Sequence, residues 1–251
     1  MMPDSLAALI RSRDPAVISL DVFDTLLLRG LRPELSRFGA VARAQSSRLR
    51  TVGVDVPAEA LYRERLAAGR RAYERARAHS GLWEPRYDEI MGEVRTALSL
   101  PASTAPVLRS VELDYELGVL RLNDALVAAL RTVQADGRRL VLTSDMYLSS
   151  DDILDLLHRK GCPLTADATY VSSDRQRTKR AGTLFDLLVA EEGLRPEAIL
   201  HVGDHPQADV AVPAARGLAV AHLPRGALWR GAHWAARTVV RKHLRWRGLV
   251  P

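Results

Sequence analysis

Short apolar runs bounded by polar residues recur along the chain at 17–20, 140–143, 168–171, 198–202 and 218–222. Between the last four lie stretches of helical period, at 150–160, 182–193 and 207–216. The runs are nearly continuous rather than alternating, as in strands covered on both faces. Strands alternating with helices of this length build βαβ units. The pattern predicts an α/β protein whose core is a Rossmann-like, doubly wound parallel sheet.

The gap between the first and second runs breaks the rhythm. Residues 33–134 contain no strand pattern and read as helices at about 34–50, 57–79, 86–98, 105–119 and 122–135. Breaks fall at Gly53/Pro57, Gly81–Pro85 and Pro101–Pro106, where glycine and proline punctuate helical segments. The last helix leads into the second strand and belongs to the core. The others are too many for one crossover and predict an all-α domain over 33–119, inserted in a core of 1–32 and 120–224. An insert at this point is expected to overhang the C-terminal strand ends, where open α/β sheets bind ligands.

Composition narrows the class. Of the 251 residues 47% are hydrophobic and 26% charged, as in a globular protein. One cysteine, Cys162, excludes an internal disulfide. No apolar run approaches the 18 or so residues of a membrane span, and charges interrupt residues 1–15. A cytoplasmic location is the expectation.

The net charge of +6 is unevenly spread. Residues 225–251 hold seven of the 36 basic residues and no acidic one, leaving 29 basic against 30 acidic residues in 1–224. A near-neutral body argues against nucleic acid as a partner. The basic stretch reads as a helix with Trp229, Trp234 and Trp246 among arginines. It would lie on its own core, at the interface of a homodimer, on a protein partner or on an anionic membrane surface.

Candidate chemistry gathers at the strand ends. The stretch "AVISLDVFDTLLLRG" (16–30) runs from an apolar strand into Asp21 and Asp24. The second strand, in "RRLVLTSDMY", ends in Thr143 and Ser144. Lys179 stands in "RTKRAGTLFDLL", and "AILHVGDHPQAD" carries Asp204 and Asp209. A parallel sheet brings these ends to one edge. Carboxylates crowded there call for a cation, and hard oxygen ligands favour Mg²⁺. With a lysine and a threonine hydroxyl beside it, such a cluster suits a phosphoryl group.

The segments "DVFDTL", "LTSD", "TKRAGTLF" and "GDHPQAD", in this order, resemble the four motifs of the haloacid dehalogenase superfamily, mostly Mg²⁺-dependent phosphatases. The resemblance extends to about residue 224, and the insert resembles that family's helical cap. It implies that Asp21 is the nucleophile forming an aspartyl-phosphate, that Thr143 binds phosphoryl oxygens and that Lys179 neutralises charge. It further implies that Asp21, the backbone carbonyl of Phe23 and Asp204 ligate Mg²⁺, with Asp209 in support. Ser144, Arg29 and Thr25 complete a set expected to bind a small phosphorylated substrate, of which a sugar or polyol phosphate is the guess.

One position departs from the pattern. The family's general acid/base Asp lies two residues after the nucleophile, where this chain has Phe23. General acid–base catalysis is worth about 10²- to 10⁴-fold. Asp24 and His205 are the candidate replacements. Two alternatives follow: a metal-independent dehalogenase, since family dehalogenases also carry an aromatic there, or a catalytically silent binding or scaffold protein.

Overall fold

The computed structural model describes residues 3–78 and 83–250. The chain begins with α1 (Pro3–Arg13), β1 (Val17–Leu20) and the two-residue β2 (Leu27–Leu28). Four helices follow: α2 (Glu34–Arg50), α3 (Ala58–Ala78), α4 (Tyr87–Ala97) and α5 (Ala105–Val119). Then come β3 (Arg121–Leu122), α6 (Asp124–Ala135), β4 (Arg139–Ser144), α7 (Ser150–Arg159), β5 (Ala168–Val171) and α8 (Ser172–Arg175). The remainder is α9 (Thr183–Glu192), β6 (Ile199–Gly203), α10 (Val212–Ala214), β7 (Ala219–His222) and α11 (Ala227–Trp246).

Among the described residues, 3–29, 83–84 and 120–225 form one compact unit, and 30–78, 85–119 and 226–250 a second. In the first, five parallel strands lie in the order β5-β4-β1-β6-β7. The winding therefore departs from β1 in both directions, the doubly wound arrangement expected from the apolar runs. Its switch point is the C-terminal end of β1, the usual ligand crevice of such sheets.

All four β1 residues are buried, because the strand has neighbours on both edges and helices on both faces. A cluster of Val17, Val141, Tyr170, Leu184, Phe185, Leu188, Ile199 and Leu218 fills one side of the sheet. Helix boundaries follow local chemistry. Ser149 caps α7, its hydroxyl accepting from the Asp152 amide at 3.2 Å while Asp152 accepts from the Ser149 amide at 3.0 Å. Asn123 caps α6, its Oδ1 accepting from the Leu126 amide at 3.3 Å.

Three features differ from the pattern. Helix α1, with Leu6 and Ile10 fully buried, lies in a stretch whose interspersed charges hid its apolar face. The span 33–134 is not free of strand, since β3 pairs antiparallel with β2 where the chain returns to the sheet unit; two residues carry no readable period. The segment expected as one helix over 207–216 is a π-helical stretch, Pro206–Ala211, followed by the short α10.

The second unit packs α2 against α3 and α5, and α3 against α4. It buries two ion pairs, Arg37–Glu116 and Arg65–Glu112, the latter at 3.2 Å. Tyr87 is buried there, and Tyr115 accepts a hydrogen bond from Arg32 at 3.1 Å. Helix α11 belongs to this unit and touches α2. Arg225, grouped above with the basic stretch, belongs to the sheet unit. Among the described residues no helix is long and apolar enough to cross a membrane.

Candidate active site at the end of the central strand

Asp21 follows β1 directly, its amide donating to the Val202 carbonyl at 2.9 Å, so the β1–β6 ladder holds it in place. One residue past β6 stands Asp204, and the Pro206–Ala211 turn brings Asp209 back against the same edge. Ligand oxygens of Asp21, Asp204 and Asp209 lie within 4.8 Å of one another. Gly203 makes this possible, because a Cβ there would meet Asp209 Cγ at 2.4 Å. The Asp209 carboxylate also accepts from the His205 amide at 2.9 Å.

A single ammonium lies in the cluster. Lys179 Nζ donates to Asp21 Oδ1 at 2.5 Å and to Asp209 Oδ1 at 2.6 Å. Its backbone is pinned by Asp145, which accepts from the Lys179 amide at 2.7 Å and from Arg180. Burial disfavours charge on Lys179, but Asp21 and Asp209 outweigh it and hold the ammonium pKa above its ordinary value. Burial likewise opposes charge on Asp209, yet Lys179 and His201 hold that carboxyl well below its usual range.

The other two carboxyls lack such compensation. Burial pushes Asp21 up to about 6, with Lys179 and Thr25 pulling the other way and Asp209 adding to the rise. Asp204 rises to about 7 through burial and the nearby charges of Asp21, Asp24 and Asp209. Three carboxylates and one ammonium leave a formal charge of −2, and the buried Asp21 Oδ2 accepts no hydrogen bond in bonding geometry. An oxygen-lined pocket two charges short of neutrality fits a hard divalent cation.

The remaining candidates take other places. The Thr143 hydroxyl is buried below the cluster, 2.7 Å from Ser19 Oγ, while Ser144 is buried at the end of β4. Thr25 is buried beside Asp21, and its carbonyl accepts from Asn123. In the loop after β1 the amides of Leu26 and Leu27 donate to the Val22 carbonyl and that of Asp24 to Leu27, turns that leave out the carbonyl of Phe23. The Arg29 guanidinium lies over the Phe23 ring, 4.1 Å from its centroid.

Asp24 stands in the left-handed region, φ 64°, which aspartate tolerates better than most residues. Its Oδ1 accepts from Arg225 Nη1 at 2.6 Å and from the Arg29 amide at 3.2 Å, and Arg225 Nη2 donates to the Arg29 carbonyl. The carboxylate expected as a proton donor is thus the knot of a loop clamp. His205 is exposed, its Nδ1 capping the next turn by accepting from the amides of Gln207 and Ala208.

Two site-supporting residues escaped the sequence pattern. His201 reads as a misplaced polar residue within an apolar strand, yet its Nε2 lies 3.2 Å from Asp209 Oδ1 and its Nδ1 2.8 Å from Ser19 Oγ. Burial lowers its pKa, so the ring is neutral at pH 7. Nε2–H then donates to Asp209, Nδ1 accepts from Ser19, and Ser19 accepts from Thr143. Polar residues inside strands were the available signal; their partners on other strands were not readable.

The strand order, the all-α insertion after β1 and the carboxylates at the switch point define the haloacid dehalogenase (HAD) fold. Solved structures with this architecture include a 2-haloacid dehalogenase from Pseudomonas syringae, at 17% identity and a TM-score of 0.58, over 81% of this chain and 84% of that one. An L-2-haloacid dehalogenase aligns at 19% identity and TM-score 0.55, over 85% of both chains. The HAD-hydrolase YfnB of Bacillus subtilis, bound to magnesium, aligns at 16% identity and TM-score 0.50, over 83% of this chain and 88% of that one. No protein-family model matches the sequence, and no curated protein matches it.

Proposed function

We propose that the chain is a Mg²⁺-dependent phosphatase that hydrolyses a small phosphomonoester, such as a sugar or polyol phosphate, through an aspartyl-phosphate. The observation that carries this reading is the convergence of Asp21, Asp204 and Asp209 within 4.8 Å around one ammonium. These three carboxylates would hold Mg²⁺, which supplies charge neutralisation for the incoming phosphoryl group. A magnesium-bound neighbour of the same fold is consistent with it.

Asp21 Oδ2 attacks phosphorus, forming a carboxylate O–P bond as the ester P–O bond breaks. Lys179, bonded to Oδ1, orients the nucleophile and offsets charge on the phosphoryl oxygens. Water then cleaves the acyl phosphate, releasing inorganic phosphate and restoring the Asp21 carboxylate. With Phe23 two residues after the nucleophile and Asp24 tied to Arg225, the leaving oxygen takes its proton from solvent. Esters with good leaving groups should therefore react fastest.

The test is phosphate release from an aryl phosphate with and without Mg²⁺, in the unaltered chain, Asp21→Asn and Phe23→Asp. Turnover that needs Mg²⁺, vanishes in Asp21→Asn, and rises for poor leaving groups in Phe23→Asp is expected. Absence of turnover on a broad phosphomonoester panel would overturn the reading. A second reading, hydrolytic dehalogenation, is favoured by Phe23 and by the dehalogenases among the structural neighbours. It predicts halide release from a 2-haloacid without any metal.

A further inference from the structure

Helices α2, α3 and α11 of the second unit enclose a cleft of about 560 Å³. Helix α2 lines it with Leu35, Gly39 and Arg43, spaced by four and so on one helix face. Val240, Leu244 and Arg247 line it from α11, and Tyr62 from α3. Glycine at position 39 keeps the space open. A Cβ there would stand 3.8 Å from Arg43 Nη1 and from Cε2 and Cζ of Tyr62, and a longer side chain would enter the cleft.

The lining grades from apolar at depth to charged at the rim. Tyr62 and Leu244 are buried, Leu35 and Val240 half-buried, and Arg43, Glu59, His243 and Arg247 exposed. Tyr62 donates its hydroxyl proton to the Leu35 carbonyl at 2.9 Å, so its polar end is satisfied within the wall. At the rim Glu59 accepts from Arg247 at 2.8 Å and from Arg63 at 3.4 Å. Arg43 has no carboxylate partner among the described residues. Two guanidiniums against one carboxylate give the lining a formal charge of +1, with histidine counted neutral.

We propose that this cleft binds an amphipathic monoanion, a carboxylate on an aliphatic chain. The chain lies against Leu35, Tyr62, Val240 and Leu244, and the carboxylate meets the Arg43 guanidinium. Sites for small molecules run from about 300 to 1,000 Å³ and join apolar walls to a few placed polar groups. The uncharged depth suits an apolar body, and a guanidinium fork suits a carboxylate head. An inorganic or sugar phosphate would set its polar oxygens against apolar walls with nothing to bond them. A neutral lipid would leave Arg43 without a counterion.

The test is calorimetric titration of the full chain with octanoate and, as its uncharged match, 1-octanol. Expected is one saturable octanoate site, with octanol weaker by about tenfold or more, the worth of a hydrogen bond between charged groups. Arg43→Gln, at an exposed position, should bring octanoate down to the octanol affinity. Gly39→Leu should abolish binding of both probes while the helical circular dichroism is kept. In the unaltered chain, octanoate should shift the amide resonances of Gly39 and Val240. Absent saturable binding, equal affinity for the two probes, or octanoate binding unchanged in Arg43→Gln overturns the inference. So does full-strength binding in a folded Gly39→Leu, or resonance shifts confined to residues away from the cleft.

Discussion

Asp24 and Arg225 stand 201 residues apart in the chain, yet they share a 2.6 Å hydrogen bond that ties the loop after β1 to the segment after β7. The pair is part-buried, and Arg225 also holds the Arg29 carbonyl. As a clamp, Asp24→Asn and Arg225→Ala should each lower stability by about 1–3 kcal/mol. The double variant should cost less than the sum, because either change breaks the same contact. Urea denaturation of the four proteins checks this. A loss of turnover of about 10²-fold or more in Asp24→Asn alone, with Arg225→Ala near normal, would restore Asp24 as the proton donor.

Stability of the metal-free chain should fall as pH rises from about 4 to about 7. Asp21 and Asp204, raised to about 6 and about 7, keep protons in the folded state that the unfolded chain has released above about 4. The folded state then binds more protons, so unfolding becomes easier with rising pH, by up to about 4 kcal/mol for Asp204. Lys179 also shifts up but titrates above this window, Asp209 shifts down and titrates below it, and His201, lowered by burial, opposes the fall without reversing it. Denaturation in EDTA across the range measures the slope, which Asp204→Asn should flatten while raising stability at pH 7.

Gly203→Ala should displace Asp209, since the new Cβ would meet Asp209 Cγ at 2.4 Å and Oδ2 at 2.6 Å. The expected costs are about 1–3 kcal/mol of stability and most of any Mg²⁺ affinity, read by calorimetric titration. Gly69→Ala in α3 is the matched control. A Cβ there meets nothing within 4 Å, and the helix should gain about 0.5–1 kcal/mol.

His201 should be neutral at pH 7 with its proton on Nε2, which nitrogen-15 chemical shifts of the imidazole report directly. Replacement by Leu leaves the Ser19 hydroxyl and Asp209 each one partner short in a buried place, at a cost of about 2–4 kcal/mol. His201→Gln, which keeps a donor, should lose less.

The amino-acid sequence by itself determined the parallel sheet, the helical insertion and the gathering of Asp21, Lys179, Asp204 and Asp209. Continuous apolar runs dictate covered strands, and a shared strand direction places their C-terminal residues on one edge. Tertiary structure alone decided where the neighbouring carboxylate, Asp24, goes. Asp21 leaves the strand in register with β6, whereas Asp24, three residues on, turns through a left-handed backbone to meet Arg225. It also decided that Thr143, Ser19 and His201 form a buried chain reaching Asp209. The reason is physical: periodicity reports which face a residue occupies, while hydrogen bonds between strands distant in sequence depend on register and side-chain direction, which exist only once the sheet has formed.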